Sequence, residues 1–433
     1  MIALIKALQV ILALSLLIFI HELGHFLWAR IFGIRVEKFY LFFDIGGKAI
    51  FRFRKGDTEF GIGWLPLGGY CKIAGMIDES LDTEQLKQEP QEWEFRSHPA
   101  WQRLFVMAGG VLNNFIFAII VYSLILGIWG QSYISNRNSQ VYVNELAYEM
   151  GFRNGDRILS FDDYVPEDFT MLQADLARRD VSTATVLRGR DTVRIYIDQS
   201  MIGEVLNTPE MFDLAIPFVI DSVVTPGPNA ASGLRRGDRV IAFDGQNVEF
   251  VQDSRKILAE YKGLCIPATV VRAEDTLALA VQVDTSGRIM VNMAIPGIET
   301  REYNVLSAIP AGWKMTMETI HGYLQDLKLM ATPSTGAYKS VGSFIAIGQV
   351  FPSTWDWYQF VYLLALLSIM LGVMNLIPIP GLDGGHILFI IYEMITGRKP
   401  GERFLYIAQL IGIALLVALM MLAFGNDIGR LIH

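Results

Sequence analysis

Charged side chains are scarce in this chain of 433 residues: Asp, Glu, Lys and Arg together make up 18%, against about 25% in an ordinary soluble domain. Beside 52% hydrophobic residues, that shortage excludes a disordered chain and fits a soluble enzyme poorly. Cysteine is nearly absent, and Cys71 and Cys265 alone cannot build a disulfide framework. Positive charge is in deficit too. The net charge is −8 and no basic patch stands out, so nucleic acid is not an expected partner. Only six histidines are present, which leaves few candidates for a metal site.

Long apolar runs are what the chain has in abundance. A helix needs about 20 mostly apolar residues to cross a hydrocarbon core of roughly 30 Å. Residues 7–31, 104–129, 360–377 and 404–424 meet that requirement. The first run is not followed by a small-residue cleavage site, so it reads as a span rather than a signal peptide. Arg30, Arg35 and Lys38 follow it, Arg96 and Arg103 precede the second, and Arg398, Lys399 and Arg403 lie between the third and fourth. Basic residues gather on the cytoplasmic side. Residues 32–103 and 378–403 are therefore expected inside, with both termini and residues 130–355 outside. The expected fold is a polytopic α-helical membrane protein with four transmembrane helices. A membrane-associated β-hairpin or sheet would occupy 35–100, the third-span motif and a cytoplasmic loop 379–403, and two inserted α+β modules 131–298.

Those modules show as a repeat. Gly151-Phe152-Arg153-Asn154-Gly155-Asp156-Arg157-Ile158 recurs as Gly233-Leu234-Arg235-Arg236-Gly237-Asp238-Arg239-Val240. The Gly-Asp step predicts a tight turn leading into a strand. The pattern is similar to the circularly permuted PDZ modules of bacterial envelope proteases, here at 131–216 and 217–298. PDZ domains bind extended chains by strand addition. Peptide docking and a spacer with an empty groove both remain open for each module.

The chemistry begins at the end of the first span, with His21-Glu22-Leu23-Gly24-His25. Histidines at i and i+4 share a helix face, about 6 Å apart, where one zinc ion can bridge them. Glu22 lies beside that face, within reach of an activated water. Such groups at a membrane span are costly unless paired or ligating. A catalytic zinc wants a third protein ligand, and the acidic candidates near the other spans are Asp383 and Glu393. Asp383 follows Asn375-Leu376-Ile377-Pro378-Ile379-Pro380-Gly381-Leu382, where prolines and glycine break the helix on the same membrane side as His21 and His25. Glu393 is expected at the interface beside Tyr392.

In these motifs and their order the chain resembles the site-2 protease family of intramembrane zinc metalloproteases, in particular the bacterial RseP type with tandem PDZ domains. The resemblance implies Zn2+ held by His21, His25 and Asp383, with Glu22 as general base. It implies that Asn375 holds the substrate backbone. It also matches Gly110-Val111-Leu112-Asn113-Asn114 to a Gly-x-x-x-Asn element. There a substrate-binding or catalytic role for Asn114 and plain small-residue packing stay open.

Two further segments bear on function. Phe39–Phe53 and Thr58–Lys72 are β-rich runs around an Arg54-Lys55-Gly56-Asp57 turn. Gly61-Ile62-Gly63-Trp64-Leu65 is too apolar for a solvated hairpin. In the family this region is a sheet dipping into the membrane beside the zinc, whose open edge would pair with substrate at Gly61 and Gly63. A hairpin merely packing on the first span is the other reading. The spacing of Trp313, Met315, Met317, Ile320, Tyr323, Leu324 and Leu327 predicts an amphipathic helix within the linker 299–355, lying on the outer membrane surface.

The expected function is intramembrane zinc endopeptidase, cutting transmembrane segments of single-span proteins; the resemblance to the family implies substrates such as anti-sigma factors already trimmed by a first protease, or signal-peptide remnants. Expected partners are those substrates, the lipid bilayer of the bacterial inner membrane and peptide ligands of the modules. A non-catalytic PDZ scaffold with bound metal and a zinc carrier are the alternatives. Glu22 argues against both, since neither needs a base beside two ligands.

Overall fold

Hydrophobic length sets the frame. In the computed structural model, which describes residues 2–66, 68–76, 89–294, 297–332 and 342–432, four helices are long and apolar enough to cross a membrane. They are Ile2–Ile31, Ala100–Trp129, Trp357–Leu376 and a stretch of Glu402–Ile432, called here the first to fourth spans. Parts of the expected cytoplasmic region (77–88) and linker (333–341) lie outside the described residues. The chain forms two compact units, one from residues 1–130, 302–331 and the chain from 342 on, the other essentially from 131–301.

In the first unit, small residues bring helices together. A Cβ at Gly24 would run into the backbone of Gly109 and Gly110, so the first and second spans touch backbone to backbone, as membrane helices do where glycines meet. Ala118, Val121, Tyr122 and Ile125 of the second span pack with Ala365, Ile369 and Val373 of the third.

A four-stranded sheet follows the first span: β1 (Val36–Leu41), β2 (Ala49–Lys55), β3 (Thr58–Gly63) and β4 (Tyr70–Ile73). Its order is β2-β3-β1-β4. β2 and β3 form the expected hairpin, with Arg54 opposite Glu59, while β1 runs parallel to β3 and antiparallel to β4. Each expected β-run thus divides into two strands. Within the first, the break begins at Phe42, whose φ of 70° leaves the extended region.

Two expectations need correction. Helix Val305–Met330, expected on the outer membrane surface, packs on other helices of the unit. It runs antiparallel along the second span, with Ala308 at Gly127 and Gly312 pressed on the Ser123 backbone, and Met315, Ile320, Tyr323 and Leu327 join the core there. Nor is 379–403 simply a motif and loop. Asp383–Thr396 is a helix, ended by Gly397 in the left-handed region, and its Ile390 is buried against Val106 and Met107. Its Glu393, expected at the interface, forms an ion pair with Arg103.

The second unit contains the repeat. Strands Arg157–Phe161, Thr183–Arg188 and Asp191–Tyr196 pair antiparallel over helix Leu172–Arg178. Strands Arg239–Phe243, Cys265–Arg272 and Asp275–Gln282 do the same over helix Val251–Glu260. Each has its own core. The repeated Gly-Asp step serves one purpose in both. Gly155 and Gly237 take φ of 84° and 87°, and the fully buried Asp156 and Asp238 each accept two hydrogen bonds from an arginine, Arg188 and Arg272. Cys71 and Cys265 are in no disulfide.

Candidate metal centre

His21 and His25 stand one turn apart on the buried face of the first span, 7% and 6% exposed, with Nε2 atoms 3.3 Å from each other. Their partner comes from the far end of the chain. After the third span the backbone breaks at Ile377–Leu382 and restarts as the helix headed by Asp383. Gly384 and Gly385 make this fold-back compact, because a Cβ on either would collide with the backbone of 376–380. Asp383 Oδ2 then lies 3.1 Å from His21 Nε2 and 3.3 Å from His25 Nε2.

This triangle has the dimensions of a metal site. A tetrahedral zinc with bonds of about 2.0–2.1 Å keeps its ligands roughly 3.3 Å apart, matching all three separations. Asp383 Oδ2 is buried and has no hydrogen bond of its own, as expected of a carboxylate oxygen that faces a cation. Two neutral imidazoles and one carboxylate are a zinc donor set, so the residues present fit the ion.

Outer contacts hold the side chains of the triangle. His25 Nδ1 is 2.9 Å from the Val106 carbonyl, so it donates there and leaves Nε2 with its lone pair toward the centre. Glu22, half-buried beside the histidines, takes a hydrogen bond from the backbone N–H of Cys71 on β4. That strand is a sheet edge, so the amide is available to a side chain outside the ladder.

The remaining expected residues divide. Asn114 is fully buried, with its carboxamide on His21 Nδ1 at 3.1 Å. It therefore faces the imidazole and has no surface open to substrate. Asn375 sits half-buried in the last turn of the third span, just before the break. Gly61 and Gly63 were expected at an open edge, but β3 is interior, flanked by β2 and β1. Their missing side chains make room for the Tyr40 ring and the Phe43 backbone. The edge beside Glu22 is β4 instead.

Sequence reasoning missed Gly24 and Gly109 as the residues that bring the second span up to the histidines. Glycine inside HExxH and a Gly-Gly pair in another apolar helix were the available signal. The Val106 carbonyl and Cys71 amide carry no side-chain signal at all.

Comparison with known proteins gives the family. The model of peptidase family M50 matches residues 9–419. A Neisseria meningitidis protein described as a zinc metalloprotease is 30% identical, covering 98% of both chains. The Escherichia coli regulator of sigma-E protease RseP is 31% identical over 97% of this chain and 98% of its own. A Haemophilus influenzae regulator of sigma E protease is 29% identical over the same shares.

Proposed function

We propose that this chain, which belongs to peptidase family M50 and is a zinc metalloprotease, hydrolyses peptide bonds within the transmembrane segments of single-span membrane proteins. The observation that carries this reading is the meeting of His21, His25 and Asp383 between helices of the membrane unit, with Glu22 beside them. These three residues hold the zinc. When bound there, zinc supplies a Lewis acid that lowers the pKa of water toward about 7 and polarises a carbonyl. Glu22 takes the proton from the attacking water and passes it to the leaving amine. The Cys71 amide holds that carboxylate in place, and Asn375 steadies the substrate backbone.

A helix hides its carbonyls in its own hydrogen bonds, so a substrate must first unwind. The β4 edge next to Glu22 offers a strand to pair with. The two repeated modules act as PDZ-like domains on the outer side, excluding substrates that still carry a bulky external domain. The active site lies toward the cytoplasmic side of a bacterial inner membrane. A relative named for regulation of sigma-E supports a regulatory substrate, such as an anti-sigma factor shortened by another protease. Signal-peptide remnants share the same chemistry.

The test is cleavage of a single-span reporter by the full chain in proteoliposomes, with products mapped by mass spectrometry. Cuts within the span are expected. Glu22→Gln should lose about 10²–10⁴-fold in rate with its zinc retained. Cuts confined to flanking loops, or undiminished turnover by Glu22→Gln, would refute the reading.

A further inference from the structure

The two histidines of the centre are supported from behind by different groups. His25 Nδ1 meets a backbone carbonyl, which only accepts, so its proton sits on Nδ1. His21 Nδ1 meets the Asn114 carboxamide, with Nδ2 toward the ring at 3.1 Å. In that orientation Asn114 Oδ1 is buried without a hydrogen bond. It also conflicts with the metal centre. An imidazole that ligates through Nε2 carries its proton on Nδ1, so Nδ1–H would face an N–H2 group, two donors and no acceptor.

A half-turn of the carboxamide exchanges oxygen and nitrogen within almost the same volume. The oxygen then faces Nδ1–H. We infer that Asn114 is the positioning residue for His21: its Oδ1 accepts the hydrogen bond of His21 Nδ1–H, which fixes the tautomer and leaves Nε2 to the metal. Its place is built by the second span. Gly110, one turn earlier, is so close to both imidazoles that a Cβ there would overlap His25 Nε2 and His21 Cε1. The backbone of Asn114 is held from the other side by the Ser368 hydroxyl of the third span, at 2.9 Å. The Gly-x-x-x-Asn spacing thus brings a bare helix face up to the rings and, one turn on, an acceptor behind one of them.

The inference rests on His21 holding zinc, and the experiment separates the two. The full chain is purified in detergent as wild type, Asn114→Asp and Asn114→Leu, with Asn114→Ala in place of the last if the leucine chain does not fold. Each is loaded with zinc alone, and zinc retention is titrated against a chelator. Loss of an outer partner of a ligating histidine typically costs 10–100-fold in metal affinity. Asn114→Leu is expected to fall in that range, and Asn114→Asp, whose carboxylate can only accept, to hold zinc at least as tightly as wild type. Equal retention by leucine and asparagine would overturn the inference, as would loss in the aspartate chain matching that in the leucine chain. A wild-type chain that takes up no zinc would instead overturn the reading of the centre itself.

Discussion

Arg103 Nη2 at the start of the second span lies 2.5 Å from Glu393 Oε1 on the helix headed by Asp383, with side chains only 9% and 13% exposed. The pair ties the helix that presents Asp383 to the helix that packs against the two histidines.

Breaking such a pair on one side leaves an uncompensated charge, at a cost of about 3–5 kcal/mol. Glu393→Gln is therefore expected to lower thermal stability in detergent and to make bound zinc easier to remove, measured by melting and by chelator titration. An unchanged melting temperature would show that the pair contributes nothing.

Asp383→Ala removes the carboxylate of the triangle. Zinc per chain, measured by elemental analysis after dialysis, is expected to drop towards zero while the chain stays folded. Full zinc occupancy would place the third ligand elsewhere.

Cys71 uses its backbone N–H on Glu22 at an edge where the sheet does not need it. Proline is tolerated at such a position. Cys71→Pro should then keep the sheet and the zinc but lose the hydrogen bond to a charged group, which typically contributes about 1.5–3 kcal/mol. Turnover of the reporter is expected to fall about tenfold or more. Wild-type turnover would remove the amide from the mechanism.

Gly61→Val puts a side chain into the Tyr40 ring. Overpacking of this kind costs about 1–3 kcal/mol, so a lower melting temperature is expected. A variant as stable as wild type but defective in substrate binding would return Gly61 to a substrate edge.

In the second repeated module the Arg272 guanidinium holds the Asp238 carboxyl below the usual carboxylate range. A lowered carboxyl stabilises the fold above its unfolded value, near pH 4, and that contribution fades as pH drops through the lowered value. Amides of strands Arg239–Phe243 and Cys265–Arg272 should lose hydrogen-exchange protection in acid, with little change between pH 6 and 8. Asp238→Asn should flatten the acid dependence, and an acid profile identical to wild type would count against the pair as its source.

Much of the membrane unit was legible in the sequence because it follows from solvent. About 20 apolar residues must be helix where no water can satisfy the backbone, and the four spans appear where the apolar runs lie. HExxH was equally legible, since its geometry is local to one helix turn. Chemical type and the Pro/Gly break singled out Asp383. Gly61 and Gly63 misled, because glycine in a strand marks a close approach as readily as an open edge. The linker helix misled as well: its apolar stripe does not say whether lipid or another helix covers it.

The sequence by itself determined which residues are candidates for the chemistry, which runs are long and apolar enough to cross a membrane, and that a Gly-Asp turn occurs twice, for each depends on neighbours in the chain or on the solvent around it. Only the tertiary structure decided that Asp383 reaches the histidines, that β4 rather than β3 borders Glu22, and that Asn114 stands behind His21. Those relations join segments far apart in the chain, and they are set by which helices can approach backbone to backbone, a matter of packing that no local pattern encodes.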